Sequence, residues 1–285
     1  MRISDVLQGK STLSFEIFPP KTALEKDAVL RVSDELMGLN PDYISVTYGA
    51  GGGGSQNTVD VAAHIQRRAT ALAHLTCVTA DRAKIAGVLS ELKAVGVENV
   101  LALRGDLPAD GARGTDYEHA SNLVADIKRL SGGAFCVGGA CYPDGHPECE
   151  SRERDIENIR FKVDAGCDFL VTQLFFDNDV LYNFLYRLAS RRVEVPVVAG
   201  IMPITGAKQI KKMTTMCGAA LKPKHKAIIE RWADNPAALY QAGIAFAAEQ
   251  IADLAANGVR GIHLYTMNRP KIARDIIGNL NELFK

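Results

Sequence analysis

Eight short apolar runs recur along the chain, and most of them are followed by a segment with the periodicity of an amphipathic helix. One such segment places Ile85, Val88 and Leu92 at spacings of three and four, so that they share one face. This alternation is typical of a parallel sheet whose faces are covered by helices. The predicted strands are Leu13–Phe18, Tyr43–Thr47, Ala73–Thr76, Val100–Leu103, Phe135–Tyr142, Phe169–Thr172, Val197–Ile201 and Ile262–Leu264.

The number of strand and helix units favours a closed barrel. Eight units in series within 285 residues match the (β/α)8 TIM barrel, an α/β fold built as one domain around one core. We therefore expect residues 1–285 to form a single (β/α)8 domain with no regulatory domain. An open doubly wound sheet is the alternative, since periodicity does not distinguish a sheet that closes from one that stays open.

The pattern is less regular between the seventh and eighth predicted strands. The segment Gly206–Gly218 predicts a short helix that ends at glycine, the residue that best tolerates a left-handed C-cap. The basic stretch Leu221–His225 contains a proline. It predicts an irregular loop before the helix that precedes the eighth strand.

Charge and composition favour a small-molecule ligand. Lys plus Arg and Asp plus Glu both total 33, which gives a formal net charge of zero and no basic patch for nucleic acid. The N-terminus lacks the apolar core of a signal peptide, and no apolar run approaches the roughly 20 residues of a membrane-spanning helix. We expect a cytoplasmic protein without a membrane or nucleic-acid partner. The six cysteines include no C-x-x-C pair and are expected to be reduced thiols.

An acidic residue, Glu16, stands between Phe15 and Ile17 in the first predicted strand. The two-residue period of a strand sends it to the opposite face from those neighbours, so it faces the barrel interior if they face the helices. Active sites of such barrels lie at the carboxyl ends of the strands. A buried carboxylate is costly unless it is paired or protonated, and we favour a proton-transfer role over a solvated surface charge.

Polar residues and one glycine lie in or directly after the ends of the second to sixth predicted strands. They are Thr47, Tyr48, His74, Thr76, Arg104, Gly105, Asp106, Tyr142, Thr172 and Gln173. Because the carboxyl ends of parallel strands meet at one rim, we expect these residues to converge. The glycine run Gly51–Gly54 lacks the pattern of a phosphate-binding loop and is interpreted as a flexible loop. His74, Cys77, His146 and Cys149 lack the spacing of a metal site, so no metal is expected.

Three further polar residues follow the fifth predicted strand. Asp155, Asn158 and Lys162 are spaced by three and four, which puts them on one face of a predicted helix. Either a ligand-binding face or a plain solvated surface would account for this spacing.

The strand-end motifs, taken in order, resemble those of methylenetetrahydrofolate reductases. They are Phe15-Glu16-Ile17-Phe18-Pro19-Pro20-Lys21, Ser45-Val46-Thr47-Tyr48-Gly49-Ala50, His74-Leu75-Thr76-Cys77, Leu103-Arg104-Gly105-Asp106, Tyr142-Pro143 with Gly145-His146-Pro147-Glu148, Thr172-Gln173, and Leu264-Tyr265-Thr266-Met267-Asn268-Arg269. The similarity extends from about Ser14 to Arg269. A shared barrel alone would not bring the same polar residues with it.

The resemblance implies a flavin-dependent oxidoreductase of one-carbon metabolism and methionine biosynthesis, which reduces 5,10-methylenetetrahydrofolate to 5-methyltetrahydrofolate. It implies FAD as the cofactor, NADH or NADPH as the electron donor, and ping-pong hydride transfer. Glu16 would protonate the folate nitrogen, and Asp106 would lie beside the flavin. Asp106, Gln173 and Arg269 would bind the folate. The positions that match contacts to FAD or the nicotinamide nucleotide are Thr47, Tyr48, Ala50, His74, Arg104, Gly105, Asp106, Ala120, Tyr142, His146, Asp155, Asn158 and Lys162.

The chain departs from the family pattern in two places. Residues 222–232 do not match the family's folate-contacting positions, and Phe161 stands where a relative carries a basic residue. Two alternatives therefore stay open: a folate-dependent methyltransferase barrel, which would need no flavin, and a folate- or flavin-binding subunit of a larger electron-transfer complex. A homo-oligomer and an electron-transfer partner protein are both compatible with the sequence.

Overall fold

The computed structural model describes residues 1–48, 54–107, 111 and 114–284. Within these residues, eight parallel strands form a closed barrel in chain order, and the first strand pairs with the eighth. The strands are β1 (Thr12–Ile17), β2 (Tyr43–Val46), β3 (Thr70–Thr76), β4 (Asn99–Leu103), β5 (Cys136–Cys141), β6 (Phe169–Thr172), β7 (Val197–Ile201) and β8 (Gly261–Tyr265). All eight predicted strands and the closed (β/α)8 fold are confirmed.

Helices connect the strands and cover the outside of the barrel. They are α1 (Ile3–Gly9), α2 (Lys26–Met37), α3 (Gly54–Gln66), α4 (Arg82–Ala94), α5 (Ala120–Ser131), α6 (Arg152–Asp164), α7 (Asn178–Ser190), α8 (Ala207–Cys217), α9 (Pro223–Arg231), α10 (Pro236–Ala256) and α11 (Pro270–Ile277). A 3-10 turn, Ala23–Glu25, precedes α2.

The prediction for the stretch Leu221–His225 is wrong. Helix α9 begins at Pro223, so most of this stretch is helical. Proline suits the first turn of a helix because it lacks the backbone N–H that would have no partner there. The predicted helix at Gly206–Gly218 is confirmed, since α8 lies between these two glycines and Gly218 has a left-handed φ of 70°.

The strand register places distant residues at the same level of the barrel. Glu16 pairs with Ser45 of β2 and with Tyr265 of β8. Ser14 pairs with His263, one interior layer deeper. Side chains on one face of a strand recur every second residue, so Ser14 and Glu16 point to the same side of β1.

The core has an outer and an inner part. Phe15 and Ile17 are fully buried in the large cluster between the strands and the covering helices. A smaller cluster fills the lower barrel, where Ile3 and Leu7 of α1 pack against residues such as Phe169. Apolar packing therefore closes the amino end of the barrel. Interior polar groups near Glu16 lie above it, towards the carboxyl ends of the strands.

An additional apolar layer lies beside the barrel mouth. Leu174 and Phe176 follow β6, Met202 and Ile204 follow β7, and they belong to one buried cluster with Leu239 of α10. This layer extends beyond the carboxyl ends of β6 and β7 and forms the wall of the barrel mouth on that side.

Candidate active site

The carboxylate of Glu16 lies inside the barrel between two histidine side chains. Its Oε2 is 3.6 Å from Nε2 of His74 on β3 and 3.8 Å from Nε2 of His263 on β8. The Glu16 side chain is 13% exposed, so it is shielded on most sides while staying accessible from the mouth. The alternative of a solvated surface charge is therefore wrong.

His74 is buried beside Glu16 without a charge of its own. Burial lowers the pKa of its imidazole to about 4, an effect that Glu16 opposes. Within the described residues, its Nε2 has no hydrogen-bond partner. Buried polar nitrogens are seldom left in this state, so the position suits an atom of a bound ligand.

Two residues after β4 have distinctive surroundings: Arg104 is paired with Glu148, and Gly105 has a backbone conformation that favours glycine. Arg104 donates two hydrogen bonds to Glu148, at 2.6 Å and 2.9 Å, and this contact raises the pKa of Arg104. Gly105 has a φ of +89°, and a Cβ there would lie 3.0 Å from Cβ of Thr76. The backbone turns at Gly105 in a way that other residues rarely adopt. Asp106 follows it and is exposed.

Aromatic and acidic groups meet where β5 leads into α6. The rings of Tyr142 and His146 lie 4.5 Å apart at 65°, and the backbone N–H of His146 donates to Asp155 at 3.1 Å. Burial raises the pKa of Tyr142 to about 12. It also raises the pKa of Asp155, while the hydrogen bond from His146 opposes that shift.

The polar face of α6 turns inwards. Asp155 is 8% exposed, and the Lys162 ammonium donates to the carbonyl of Ala140 on β5 at 2.5 Å. The Asn158 amide donates to Sγ of Cys149 at 3.7 Å. This face is therefore not a solvated surface, and that alternative is wrong.

The remaining predicted cofactor positions occupy the same rim. Thr47 and Tyr48 directly follow β2 and are half-buried. Ala120 is the first residue of α5, whose N-terminus lies after β4. Ala50 lies outside the described residues, as does the predicted loop Gly51–Gly54 up to the first residue of α3.

The two other predicted folate contacts lie after β6 and β8. The Oε1 of Gln173 accepts a hydrogen bond from the backbone N–H of Leu174 at 2.8 Å. Arg269 is exposed, with its guanidinium 5.6 Å from the ring centre of Tyr240 and 3.4 Å from Oγ1 of Thr205. Both residues belong to the carboxyl end of the barrel.

Two interior residues of the site, His263 and Tyr265, were not singled out by the sequence argument. The Tyr265 hydroxyl donates to the carbonyl of Thr172 at 2.6 Å and lies across the mouth from β8 to β6. His263 alternates with apolar neighbours in its strand, which is the pattern that identified Glu16. The same argument applied to β8 would have placed His263 inside the barrel.

The described residues were also searched for a metal-binding group and for a membrane-spanning helix. Among the described residues, no group of three or more His, Cys, Asp or Glu side chains is arranged to hold a metal ion. Over the same part of the chain, no helix has the length and apolar character needed to cross a membrane.

The fold and the site are those of a (β/α)8 barrel enzyme. Glu16, His74 and His263 lie inside the barrel, and further polar residues form a rim at the carboxyl ends of the strands. The family profile described as methylenetetrahydrofolate reductase matches residues 2–281, and the chain belongs to this family of oxidoreductases.

Curated relatives agree with this assignment. The chain is 33% identical over 276 residues to the 5,10-methylenetetrahydrofolate reductase of Pectobacterium carotovorum subsp. carotovorum, which covers 96% of this chain and 91% of that protein. The Escherichia coli (strain K12) enzyme of the same name is 32% identical, with 96% and 92% coverage. Methylenetetrahydrofolate reductase (NADH) 1 of Arabidopsis thaliana is 34% identical over 96% of this chain, which spans 49% of that longer protein.

A solved structure shares the fold at low sequence identity. It is an uncharacterized protein from Clostridium thermocellum, described as binding two copies of 5-methyl-5,6,7,8-tetrahydrofolic acid. The TM-score is 0.69 at 13% identity, with 99% of this chain and 100% of that chain covered. This likeness concerns the fold alone.

Proposed function

We propose that the chain reduces 5,10-methylenetetrahydrofolate to 5-methyltetrahydrofolate, with FAD as its cofactor and NADH or NADPH as electron donor. The reaction is ping-pong: the oxidised nucleotide leaves before the folate enters the same site. Family membership supports the folate reaction. A folate ligand is also in keeping with the Clostridium thermocellum protein, which has this fold and is described as binding methyltetrahydrofolate.

The rim has features that suit a flavin. The buried Nε2 of His74 lacks a partner, and the backbone turn at Gly105 leaves little room for a side chain. Arg104, which is paired with Glu148, and Lys162, which donates to the carbonyl of Ala140, place cationic groups near the ends of β4 and β5, and the aromatic ring of Tyr142 follows β5. The residues proposed to hold FAD are Thr47, Tyr48, Ala50, His74, Arg104, Gly105, Asp106, Ala120, Tyr142, His146, Asp155, Asn158 and Lys162.

The observation that carries the proposal is the shielded carboxyl of Glu16 between His74 and His263. In its protonated form this carboxyl can donate its proton to the folate nitrogen that leaves the one-carbon unit. That carbon–nitrogen bond breaks, the five-membered ring opens, and an iminium carbon is left. The iminium carbon accepts a hydride and becomes the methyl group. When bound, the reduced flavin supplies this hydride.

Substrate orientation is proposed for the polar groups around the mouth. Asp106 and the amide of Gln173 offer the acceptors and donors that match the edge of a pterin. Arg269 offers a cation for the folate on the β8 side of the rim. We assign all of these roles to one catalytic domain.

The Glu16→Gln variant tests this proposal. We expect it to bind FAD and to be reduced by the nucleotide at a rate near wild type, because that half-reaction uses no proton from Glu16. Transfer to methylenetetrahydrofolate should fall by roughly 10²-fold or more, the usual scale for general acid catalysis. Anaerobic stopped-flow absorbance measures the two half-reactions separately.

Two observations would contradict the proposal. Purified protein that is colourless and cannot be reconstituted with FAD would exclude the cofactor. Glu16→Gln protein that reacts with methylenetetrahydrofolate at the wild-type rate would exclude Glu16 as the acid. Glu98→Gln is the matched control, because Glu98 precedes β4 at the amino end of the barrel, and it should change neither half-reaction.

A further inference from the structure

The regular pairing between β6 and β7 stops at Val171 and Val198, one residue before β6 ends. At Thr172 the contacts between the strands change. The backbone N–H of Gly200 donates to the Thr172 hydroxyl at 2.8 Å, and the backbone carbonyl of Thr172 accepts a hydrogen bond from the Tyr265 hydroxyl at 2.6 Å. A side chain of β8 thus bonds to the end of β6, with β7 lying between these two strands in the barrel.

This hydrogen bond requires a glycine at position 200 of the intervening strand. A Cβ there would overlap the carbonyl oxygen of Thr172 and the hydroxyl oxygen of Tyr265, and it would lie 2.7 Å from Cε2 of the same ring. These distances are well below van der Waals contact. The Tyr265 side chain therefore reaches β6 directly over Gly200. We call the contacts of Tyr265 with Thr172 across Gly200 the Tyr265 bridge.

The direction of the hydrogen bond in the Tyr265 bridge follows from its two groups. A backbone carbonyl can only accept, so the Tyr265 hydroxyl is the donor. Burial raises the pKa of Tyr265, and the nearby Glu16 adds to this effect, so the hydroxyl keeps its proton at neutral pH. The bond is therefore insensitive to pH near neutrality.

The Tyr265 bridge fixes the peptide group that joins Thr172 to Gln173. The carbonyl of this group is held by Tyr265, and its N–H donates to the carbonyl of Cys141 on β5 at 2.7 Å. Because a peptide group is planar, hydrogen bonds at its two opposite ends define its orientation. The backbone that carries the Gln173 side chain is thus held from β5 and from β8.

The amide of Gln173 is oriented as well. Its Oε1 accepts a hydrogen bond from the backbone N–H of Leu174 at 2.8 Å, and Leu174 is buried in the apolar layer beside the mouth. With the oxygen engaged, the amide offers its –NH2 group. Burial raises the pKa of Tyr142, and a hydrogen bond with the Gln173 side chain opposes this rise. Since –NH2 has two hydrogens, one remains for a ligand.

We propose that Tyr265 is a positioning residue for the folate: its bond to Thr172 across Gly200 fixes Gln173, whose –NH2 group donates to an acceptor on the pterin. The inference rests on the proposed role of Gln173 in binding the pterin. A carbonyl oxygen or ring nitrogen of the pterin then meets a donor that is already oriented, so binding costs little further ordering. Tyr265 acts only through Gln173.

Tyr265→Phe removes the hydroxyl and keeps the ring over Gly200. We expect the methylenetetrahydrofolate concentration for half-maximal flavin oxidation to rise roughly three- to tenfold, the scale of one lost hydrogen bond. The maximal rate of this half-reaction should stay near wild type, because the reacting groups are unchanged. Stopped-flow absorbance at a series of folate concentrations gives both quantities. An unchanged half-saturating concentration would overturn the inference.

Tyr182→Phe is the matched control for this variant. The Tyr182 hydroxyl donates to Asp253 at the same distance of 2.6 Å, but it does so between the outer helices α7 and α10. Its loss should leave the half-saturating folate concentration as in wild type. A rise equal to that in Tyr265→Phe would show that loss of any such hydroxyl weakens folate binding, which would also overturn the inference.

A double-mutant cycle separates positioning from general damage to the barrel. If Tyr265 acts through Gln173, Tyr265→Phe should not raise the half-saturating folate concentration further once Gln173→Ala is in place. Two variants that damage the site independently would instead multiply their effects. Effects that multiply in the double variant would overturn the inference.

The orientation of Gln173 can also be measured without turnover. In the flavin-loaded protein, the Leu174 amide hydrogen, which is bonded to Oε1 of Gln173, should exchange with solvent faster in Tyr265→Phe than in wild type. The Ile3 amide is the internal control, because it donates to the side-chain oxygen of Asn99 at 2.9 Å at the amino end of the barrel. NMR should show its exchange unchanged. Unchanged exchange at Leu174 would overturn the inference.

The Gln173→Ala variant separates this inference from the proposed function. A wild-type half-saturating folate concentration in Gln173→Ala would contradict the proposed pterin contact, and the role of Tyr265 would fall with it. A raised concentration in Gln173→Ala together with a wild-type value in Tyr265→Phe would contradict the role of Tyr265 alone.

Discussion

Two buried imidazoles face the carboxylate of Glu16, and they differ in how they are held. His263 has a hydrogen-bond partner at each ring nitrogen, whereas Nε2 of His74 has none within the described residues. An imidazole that is buried beyond the reach of water strongly prefers its neutral form. The charge state of His74 therefore couples the stability of the barrel to pH.

This coupling predicts that His74 destabilises the protein in acid. Its pKa is about 4 in the folded chain against 6.5 when exposed, so the unfolded chain binds the proton more tightly. The stabilisation is fully present above pH 6.5 and is lost as the pH falls towards 4, by an amount of roughly 3 kcal/mol. Urea unfolding of His74→Asn should show a weaker loss of stability on acidification than wild type.

The exposed residue His119 provides the control for this measurement. Its side chain is 68% exposed, so His119→Asn should keep the wild-type dependence of unfolding free energy on pH. If His74→Asn and His119→Asn gave the same dependence, the acid loss of stability would arise elsewhere in the chain.

At the scale of single residues, the sequence predicted Glu16 better than its surroundings. Glu16 could be placed inside the barrel from its two neighbours, because the period of a strand is a local property. The partners of His263 are Ser14 and Ser45, which are 249 and 218 residues away along the chain. A contact between such distant residues depends on the register of the closed sheet, which local patterns do not contain.

Among the elements, α6 connects the stability of the fold to the proposed cofactor site. It begins at an N-cap, Ser151, whose hydroxyl accepts a hydrogen bond from the N–H of Arg154 at 3.1 Å. The same helix carries Asp155 and Asn158, which bond to His146 and Cys149 in the segment after β5, and Lys162, which bonds to Ala140 of β5. A loosened first turn would therefore disturb these side chains as well as the helix.

We expect Ser151→Ala to cost about 1 kcal/mol of stability and to weaken FAD retention, measured as flavin released on dilution. The matched control is Asp81→Ala at the N-cap of α4, where Asp81 accepts from the N–H of Lys84 at 2.7 Å. It should cost a similar amount of stability while FAD is retained as in wild type. Equal retention in the two variants would argue against a cofactor contact on α6.

The sequence predicted elements well where one local rule applied. Each strand is a short apolar run bounded by a change of pattern, and all eight were found. The stretch Leu221–His225 was misassigned because Pro223 was interpreted as a loop residue, although proline also suits the first position of a helix. The inward direction of the polar face on α6 could not be derived, since spacing defines a shared face but not what it packs against.

For the molecule as a whole, closure of the barrel depends on contacts that no segment contains by itself. Strand β1 pairs with β8, so residues such as Phe15 and Leu264 are neighbours across nearly the whole chain. Periodicity did not distinguish a closed sheet from an open one, so the prediction of a barrel depended on the number of units, eight in series, and on the family resemblance. The closing strands also bring His263 to Glu16, so the candidate site exists only in the closed form.

The layer beside the barrel mouth depends on one close approach between α10 and the segment after β7. A Cβ at Gly243 of α10 would lie 1.9 Å from the carbonyl oxygen of Ile204, which is backbone and cannot rotate away. By contrast, Gly87 in α4 is exposed, and a Cβ there would meet nothing within 4 Å. The two glycines share a helical backbone and differ in their surroundings.

Alanine at these two positions should therefore act in opposite directions. Gly87→Ala should stabilise the protein by up to about 1 kcal/mol, because alanine favours the helix over glycine and nothing opposes the added methyl group. Gly243→Ala has the same helical gain, but the methyl group must force α10 away from Ile204, and overpacking of this kind costs roughly 1–3 kcal/mol or more. We expect a net loss, measured as a lower midpoint of urea or thermal unfolding. If Gly243→Ala were as stable as Gly87→Ala, α10 would not pack on the segment after β7 as closely as the fold requires, and the wall of the barrel mouth on that side would have to be placed differently.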